Sequence, residues 1–234
     1  MKKISIIVPI YKEKDNIIEL TDKIRKNLKS IKYEIIFVDD DSDDGTKEIL
    51  KKLKKKYRYF DFIIRKKKKD LTQSCFIGIE KSKYKSILIM DGDLQHNPKY
   101  IPKMINRYYS KNADVVIASR DLFYGNNSGL NYFRKLFSII LIILINILFG
   151  KKTKDPMSGF FLFNKEIYKA NKKNYFGKGY KILADILYNS SQNLKVIDYD
   201  INFGHRLKNK SKMNFKILLI LLEFLLKRFI KKFN

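Results

Sequence analysis

Asp91-Gly92-Asp93-Leu94-Gln95 places two carboxylates and one amide side chain within a single short segment. The run before it, Ser86-Ile87-Leu88-Ile89-Met90, is apolar and reads as a buried strand. The residues after it, His96-Asn97-Pro98, read as a turn leading into a helix. The two carboxylates therefore leave the C-terminal end of a core strand, which is where open α/β sheets bind ligands. Hard oxygen donors of this kind suit Mg²⁺ or Mn²⁺, whose coordination is usually shared with substrate phosphates. An isolated Asp-x-Asp is most often a solvated turn, so the strand end is what makes this one a metal candidate.

Two earlier loops carry polar residues that folding alone does not require. The first is Val8-Pro9-Ile10-Tyr11-Lys12-Glu13, and the second runs from Val38 to Thr46. The second has five Asp in the six positions 39–44. Such crowding is unfavourable unless a cation, a base or a sugar hydroxyl engages some of the carboxylates. Asp and Ser also cap helices and Gly supplies turns, which accounts for part of the segment. Asp40 is the residue expected to contact a nucleotide.

The elements that must position these loops alternate along the chain. Strand patterns occupy Ile4–Ile10, Tyr33–Val38, Phe60–Ile64, Ile87–Met90 and Asp114–Ala118. Helical patterns occupy Asn16–Leu28, Thr46–Tyr57, Leu71–Lys81 and Pro102–Ser110. Such alternation predicts an α/β fold, a mainly parallel sheet with helices on both faces. Right-handed crossovers then put the strand-to-helix loops on one edge.

Composition narrows the partners. The chain has 234 residues, 50 Lys+Arg against 24 Asp+Glu and a formal net charge of +26. An excess of this size calls for an anionic partner: nucleic acid, anionic lipid or a phosphorylated substrate. Abundant Lys, Ile, Asn and Tyr also fit AT-rich coding, so part of the charge is compositional. One cysteine, Cys75, excludes an intramolecular disulfide framework. Two histidines exclude a His-rich metal site. No Gly-x-Gly-x-x-Gly follows the first strand, and no phosphate-binding Gly-x-x-x-x-Gly-Lys-Ser/Thr is present, which disfavours dinucleotide oxidoreductases and P-loop NTPases. No serine nucleophile elbow is present either. The N-terminus shows no secretory signal pattern.

Read together and in order, IVPIYKE, FVDDDSDDGT, MDGDLQHNP, ASR (118–120), FRKLFS (133–138), DPMSGFFLF (155–163), GYKILADIL (179–187) and FGHRLKNKSK (203–212) carry a resemblance. The chain resembles the inverting family 2 glycosyltransferases, among them the dolichyl-phosphate mannose synthases and polyprenyl-phosphate sugar transferases. The resemblance implies the GT-A fold, with a Rossmann-like half binding a nucleotide sugar. It implies that Pro9, Tyr11, Glu13 and Asp40 line the nucleoside pocket and that Gly92 lies beside the nucleotide. Asp91, Asp93 and Gln95 would hold Mg²⁺ or Mn²⁺ on the donor pyrophosphate. Arg120, Arg134 and Ser138 would bind the acceptor phosphate, while Arg206 and Lys212 close over the phosphates. The implied reaction moves a hexose, mannose from GDP-mannose by default, onto a polyprenyl or dolichyl phosphate with inversion. Three positions depart from the family pattern: Asp70 stands where Gly is common, Asp185 replaces a Glu, and Asn209 replaces the Gly of Arg-x-x-Gly-x-Ser-Lys.

Two apolar segments bear on how such a site meets a lipid. Leu136–Phe149 is 14 residues long and apolar except for Ser138 and Asn146, with Arg134, Lys135, Lys151 and Lys152 flanking it. A spanning helix needs about 20 apolar residues. The segment therefore reads as an interface helix over about 132–149, with a buried core helix as the alternative. Residues 205–234 form a basic, apolar tail after a domain over 1–204, with nine Lys/Arg and one acidic residue. Each basic group near an anionic leaflet adds about 1 kcal/mol. The expected location is the cytoplasmic face of a membrane, peripheral or monotopic; a small membrane subunit and a second copy of the chain are both left open. Rival readings are a transferase using a UDP-sugar or a saccharide acceptor, and a basic nucleic-acid-binding protein. The last lacks any recognition module, so no nucleic-acid partner is expected.

Overall fold

Strands rich in Ile, Val and Phe alternate with amphipathic helices and assemble into one twisted sheet. The computed structural model describes residues 2–120, 132–179, 181–190, 193–202 and 223. The strands are β1 (Lys3–Ile10), β2 (Lys32–Asp39), β3 (Phe60–Ile64), β4 (Ser86–Ile89), β5 (Val115–Arg120), β6 (Phe161–Asn164) and β7 (Val196–Ile201). The helices are α1 (Lys14–Asn27), α2 (Thr46–Lys56), α3 (Leu71–Lys81), α4 (Ile101–Ser110), α5 (Tyr132–Phe149), α6 (Lys165–Asn171) and α7 (Ile182–Asn189).

Strand order across the sheet is β3-β2-β1-β4-β6-β5-β7. All neighbours pair in parallel except β6, which runs antiparallel to both β4 and β5. The sheet is thus mainly parallel, with one reversed strand that the sequence pattern did not disclose. β5 consequently points the same way as β4. The C-terminal ends of β1, β2, β4 and β5 and the start of β6 all lie on one edge. The order also reverses direction between β1 and β4, which makes their ends a topological switch point.

Alternating side chains of the strands feed two cores. Ile4, Ile6, Val8 and Ile10 of β1 join α1, α2 and α4 on one face, while Ile7 joins α3, α5, α6 and α7 on the other. In α1 the spacing of Ile17, Leu20 and Ile24 puts all three in the core. Each such side chain contributes about 1.5–3 kcal/mol by leaving water. Helix α3 lies close against β1, because Gly78 has no Cβ to meet the Ile7 side chain.

Helix α5 buries one face in the core, as the core-helix alternative expects, and exposes another. Leu141, Ile142 and Ile145 are buried in the core, whereas Ile140, Ile143 and Ile147 are exposed, the last at 74%. Among the described residues, no helix is long and apolar enough to cross a membrane. Arg134 and Ser138 stand on α5 by backbone position. Arg206, Lys212 and the 205–234 tail lie outside the described residues, Glu223 apart.

Candidate active site

Three loops meet at the switch-point edge, following β1, β2 and β4. Each holds a non-glycine residue in the left-handed backbone region: Lys12 (φ 54°), Asp41 (φ 58°) and Leu94 (φ 66°). That region is disfavoured for L-residues and tends to collect at functional sites. Among the described residues only Asn112, in the turn before β5, shares it.

The β4 loop presents the carboxylates. Asp93 is buried, and its Oδ1 accepts the Gln95 N–H at 3.1 Å. Asp91 is more open, with its side chain 36% exposed. The Asp91 N–H donates to His96 Nδ1 at 3.0 Å, which commits that nitrogen to the turn. The His96 ring stacks on Phe160 with centroids 5.1 Å apart. Gly92 sits against β1: a Cβ there would meet the Ile10 side chain at 2.5 Å. Gly159, from the loop before β6, lies over Asp91. A Cβ on it would come within 3.1 Å of both Asp91 carboxylate oxygens and 3.2 Å of the His96 ring. The loop thus has two carboxylates of unequal burial and a glycine-made space above the outer one. Among the described residues no cluster of three or more His, Cys, Asp and Glu is arranged to hold a metal. Two carboxylates and an amide still fit Mg²⁺ or Mn²⁺, because phosphate oxygens and water complete such shells.

The β2 loop answers the question of the five aspartates. Asp39 is buried and receives the Ser42 hydroxyl at 2.5 Å and the Ser42 N–H at 3.1 Å; burial pushes its pKa up despite them. Asp40 receives Arg65 Nε at 2.6 Å, the Ser74 hydroxyl at 2.5 Å and the Asp70 N–H at 2.9 Å. Asp41 pairs with Lys47 at 2.6 Å and Asp43 with Lys12 at 2.7 Å, and each lysine pulls its partner's pKa down. Asp44 receives the N–H groups of Thr46 and Lys14. The crowding is therefore relieved within the protein. The electrostatic reason for expecting a nucleotide at Asp40 is replaced by a positional one: the residue lies at the end of β2 beside the β1 loop.

The β1 loop completes this side. Pro9 is buried at the end of its strand, and Glu13 is buried with Asn16 Nδ2 on its carboxylate at 2.7 Å. Lys69 lies 3.7 Å from the Tyr11 ring centroid and bonds its hydroxyl. Arg65 heads the basic run 65–69, whose pattern reads as a solvated loop, yet it is almost fully buried and also donates to the Lys68 carbonyl at 2.6 Å. Its signal was a lone arginine among lysines at the end of β3.

Arg120 closes the other side at the end of β5. Its Nε and Nη2 form a bidentate pair with Asp155 at 2.6 and 2.9 Å. Asp155 is fully buried and also receives the Met157 N–H. Burial opposes the Arg120 charge, but Asp155 outweighs it, with Asp91 adding to the effect, and the pKa is held above the ordinary arginine value. Arg120 thus stands as a fixed cation at the end of β5, on the same sheet edge as the Asp91 loop. Asp155 had been visible only as part of DPMSG, with no role.

These loops and their order along the chain match a known sequence pattern, that of glycosyl transferase family 2, over residues 5–171. The chain belongs to that family. Among curated family 2 relatives, the dolichol-phosphate mannosyltransferase of Pyrococcus furiosus is 36% identical over 218 residues. The alignment covers 92% of this chain and 60% of that protein, so the chain spans about three-fifths of that relative's length. The dolichol-phosphate mannosyltransferase of Saccharomyces cerevisiae is 27% identical over 240 residues, covering 98% of this chain and 88% of that one. Among solved structures, glucosyl-3-phosphoglycerate synthase of Mycobacterium tuberculosis in complex with uridine diphosphate superposes with a TM-score of 0.72 at 14% identity, over 97% of this chain and 80% of that chain. The same enzyme with Mn²⁺, UDP-glucose and phosphoglyceric acid gives 0.71, over 96% and 80%. At that identity the likeness establishes the GT-A fold of this family 2 member.

Proposed function

We propose that this chain transfers a hexose from a nucleotide sugar to a polyprenyl or dolichyl phosphate at the cytoplasmic face of a membrane, with mannose from GDP-mannose as the default donor. The observation that carries the reading is the bidentate Arg120–Asp155 pair at the end of β5: a planar cation fixed on the same sheet edge as the Asp91 loop, whose carboxylates suit a metal. The names of the curated relatives support the lipid-phosphate acceptor.

In this reading Pro9, Tyr11, Glu13, Asp40 and Gly92 bound the nucleoside side, and Asp91, Asp93 and Gln95 hold Mg²⁺ or Mn²⁺. The cation, when bound, neutralises the diphosphate that leaves. Arg120, Arg134 and Ser138 orient the acceptor phosphate, and Arg206 and Lys212 close over the leaving group. A lipid phosphate is already anionic at neutral pH, so its oxygen needs positioning more than deprotonation. Arginine suits that task because its guanidinium is always charged and carries five N–H donors, of which Asp155 engages two on Arg120. Attack opposite the leaving diphosphate inverts the anomeric carbon. The outer face of α5, with Ile140, Ile143 and Ile147 exposed, lies in the membrane interface and brings the headgroup to the site.

The test is to incubate the protein with polyprenyl phosphate and a panel of labelled nucleotide sugars. A lipid-extractable product formed with inversion from GDP-mannose is expected. Product only from a UDP-sugar would replace the donor, and transfer only to a free saccharide would replace the acceptor.

A further inference from the structure

Asp70, at the start of α3, bonds through both its backbone and its side chain. Its backbone N–H donates to Asp40 Oδ2 at 2.9 Å, on the nucleoside side. Its Oδ1 accepts the Gln73 N–H at 3.0 Å and caps α3. Its Oδ2 accepts the Gly179 N–H at 2.8 Å, reaching across 109 positions of sequence.

That last bond is one of four between the start of α3 and the segment 176–179. The Gly179 carbonyl receives the Thr72 N–H at 3.0 Å and the Thr72 hydroxyl at 2.9 Å. The Gly177 carbonyl receives Gln73 Nε2 at 2.5 Å. From behind, the buried Asp185 of α7 receives the Phe176 and Gly177 N–H groups at 2.9 and 2.7 Å. Gly177 and Gly179 adopt φ of 69° and 84°, a shape that glycine takes without strain. The segment leads into α7, and α7 shares its core with α3 and with α5, the helix that carries Arg134 and Ser138.

We infer that Asp70 is a positioning residue that ties the nucleoside wall to the 176–179 segment, so that the donor and acceptor sides of the site are held in one register. The inference rests on the transferase reading above. A glycine at position 70 could make the bond to Asp40 but neither side-chain bond. Asp185 completes the clasp from the opposite side, and the two carboxylates together satisfy the N–H groups of 176, 177 and 179.

Asp70→Asn separates the roles. Its amide oxygen still caps α3, while its NH₂ faces the Gly179 N–H and cannot accept from it. The full chain is used, with GDP plus Mn²⁺ as the binding probe. Hydrogen exchange should accelerate in 176–179 while the first turn of α3 keeps its protection. Affinity for GDP should stay within about twofold, and kcat for transfer should fall about tenfold, short of the hundredfold that a 1 Å misplacement can cost. Thr72→Val, which removes one bond to Gly179 and leaves Asp70 in place, should shift exchange and kcat the same way by less, and it decides the matter if Asp70→Asn does not fold. Unchanged exchange, or GDP affinity lost in proportion to kcat, overturns the inference. The exchange and GDP arms require no transfer, so a wild-type chain that moves no sugar to lipid phosphate defeats the proposed function while these arms still judge the clasp.

Discussion

Asp93 and Asp155 are both buried carboxylates, and they ask for different experiments. In the proposed function Asp93 holds a cation, and EDTA should then abolish transfer. Asp93→Asn should cost about 3–4 kcal/mol of transition-state stabilisation, read from kcat/KM, with little change in melting temperature. Activity in metal-free buffer would remove Asp93 from the metal. Asp155 instead neutralises and aims Arg120. Asp155→Asn leaves a buried guanidinium without its counter-charge, at a cost of about 3–5 kcal/mol in stability. Acceptor KM should rise alongside that loss, while donor binding holds; a variant as stable as wild type with unaltered acceptor kinetics would contradict the pairing. The position of the Asp91 loop at a strand end was legible in the sequence because its polar residues are neighbours after one apolar run. Arg65 and Asp155 were not, because their partners lie 25 and 35 positions away and nothing local announces the pairing.

At the level of elements, β1 to β5 were readable because apolar runs of four to eight residues stand between turn signals. The strand β6 is four residues long, as β4 is, but helix α6 begins at the next residue, so no turn marks where the strand ends. Its reversed direction is a property of pairing, which no periodicity encodes. The Asp-rich loop was expected to need a cation, a base or a sugar hydroxyl, but Lys47, Lys12 and Arg65 serve its carboxylates, the last two from other loops. One joint between elements can be titrated. Glu80 of α3 receives the Tyr168 hydroxyl of α6 at 2.9 Å and pairs with Lys172 at 2.5 Å. Lys172, foremost, holds its pKa below the ordinary glutamate value of 4.5. A depressed carboxylate pKa stabilises the fold above the unfolded-state value, and that contribution is lost as pH falls through the folded one. Because the pair is partly exposed, its worth is about 0.5 kcal/mol. Glu80→Gln should therefore melt slightly below wild type at pH 7, and the gap should close as the pH is taken below 4.5. A gap that persists in acid would assign the loss to packing.

For the molecule as a whole, the proposed membrane docking draws on a net charge of +26 and on the exposed isoleucines of α5, by different physics. The chain should pellet with anionic vesicles. High salt should release it only in part, because screening weakens the charge term and leaves apolar burial intact. Complete release by salt would leave α5 without a role at the interface. The sheet order carries a consequence of another kind. β1 to β4 can pair as soon as residue 89 has been made, whereas both neighbours of β5 come later in the chain: β6 at 161–164 and β7 at 196–201. During synthesis β5 must wait, with its backbone groups uncovered, for more than a third of a typical domain to follow it. Long loop closures of this sort slow folding and expose strand edges. The half of the sheet that carries Arg120 should therefore acquire protection last in refolding, so that the nucleotide side is built before the acceptor side exists.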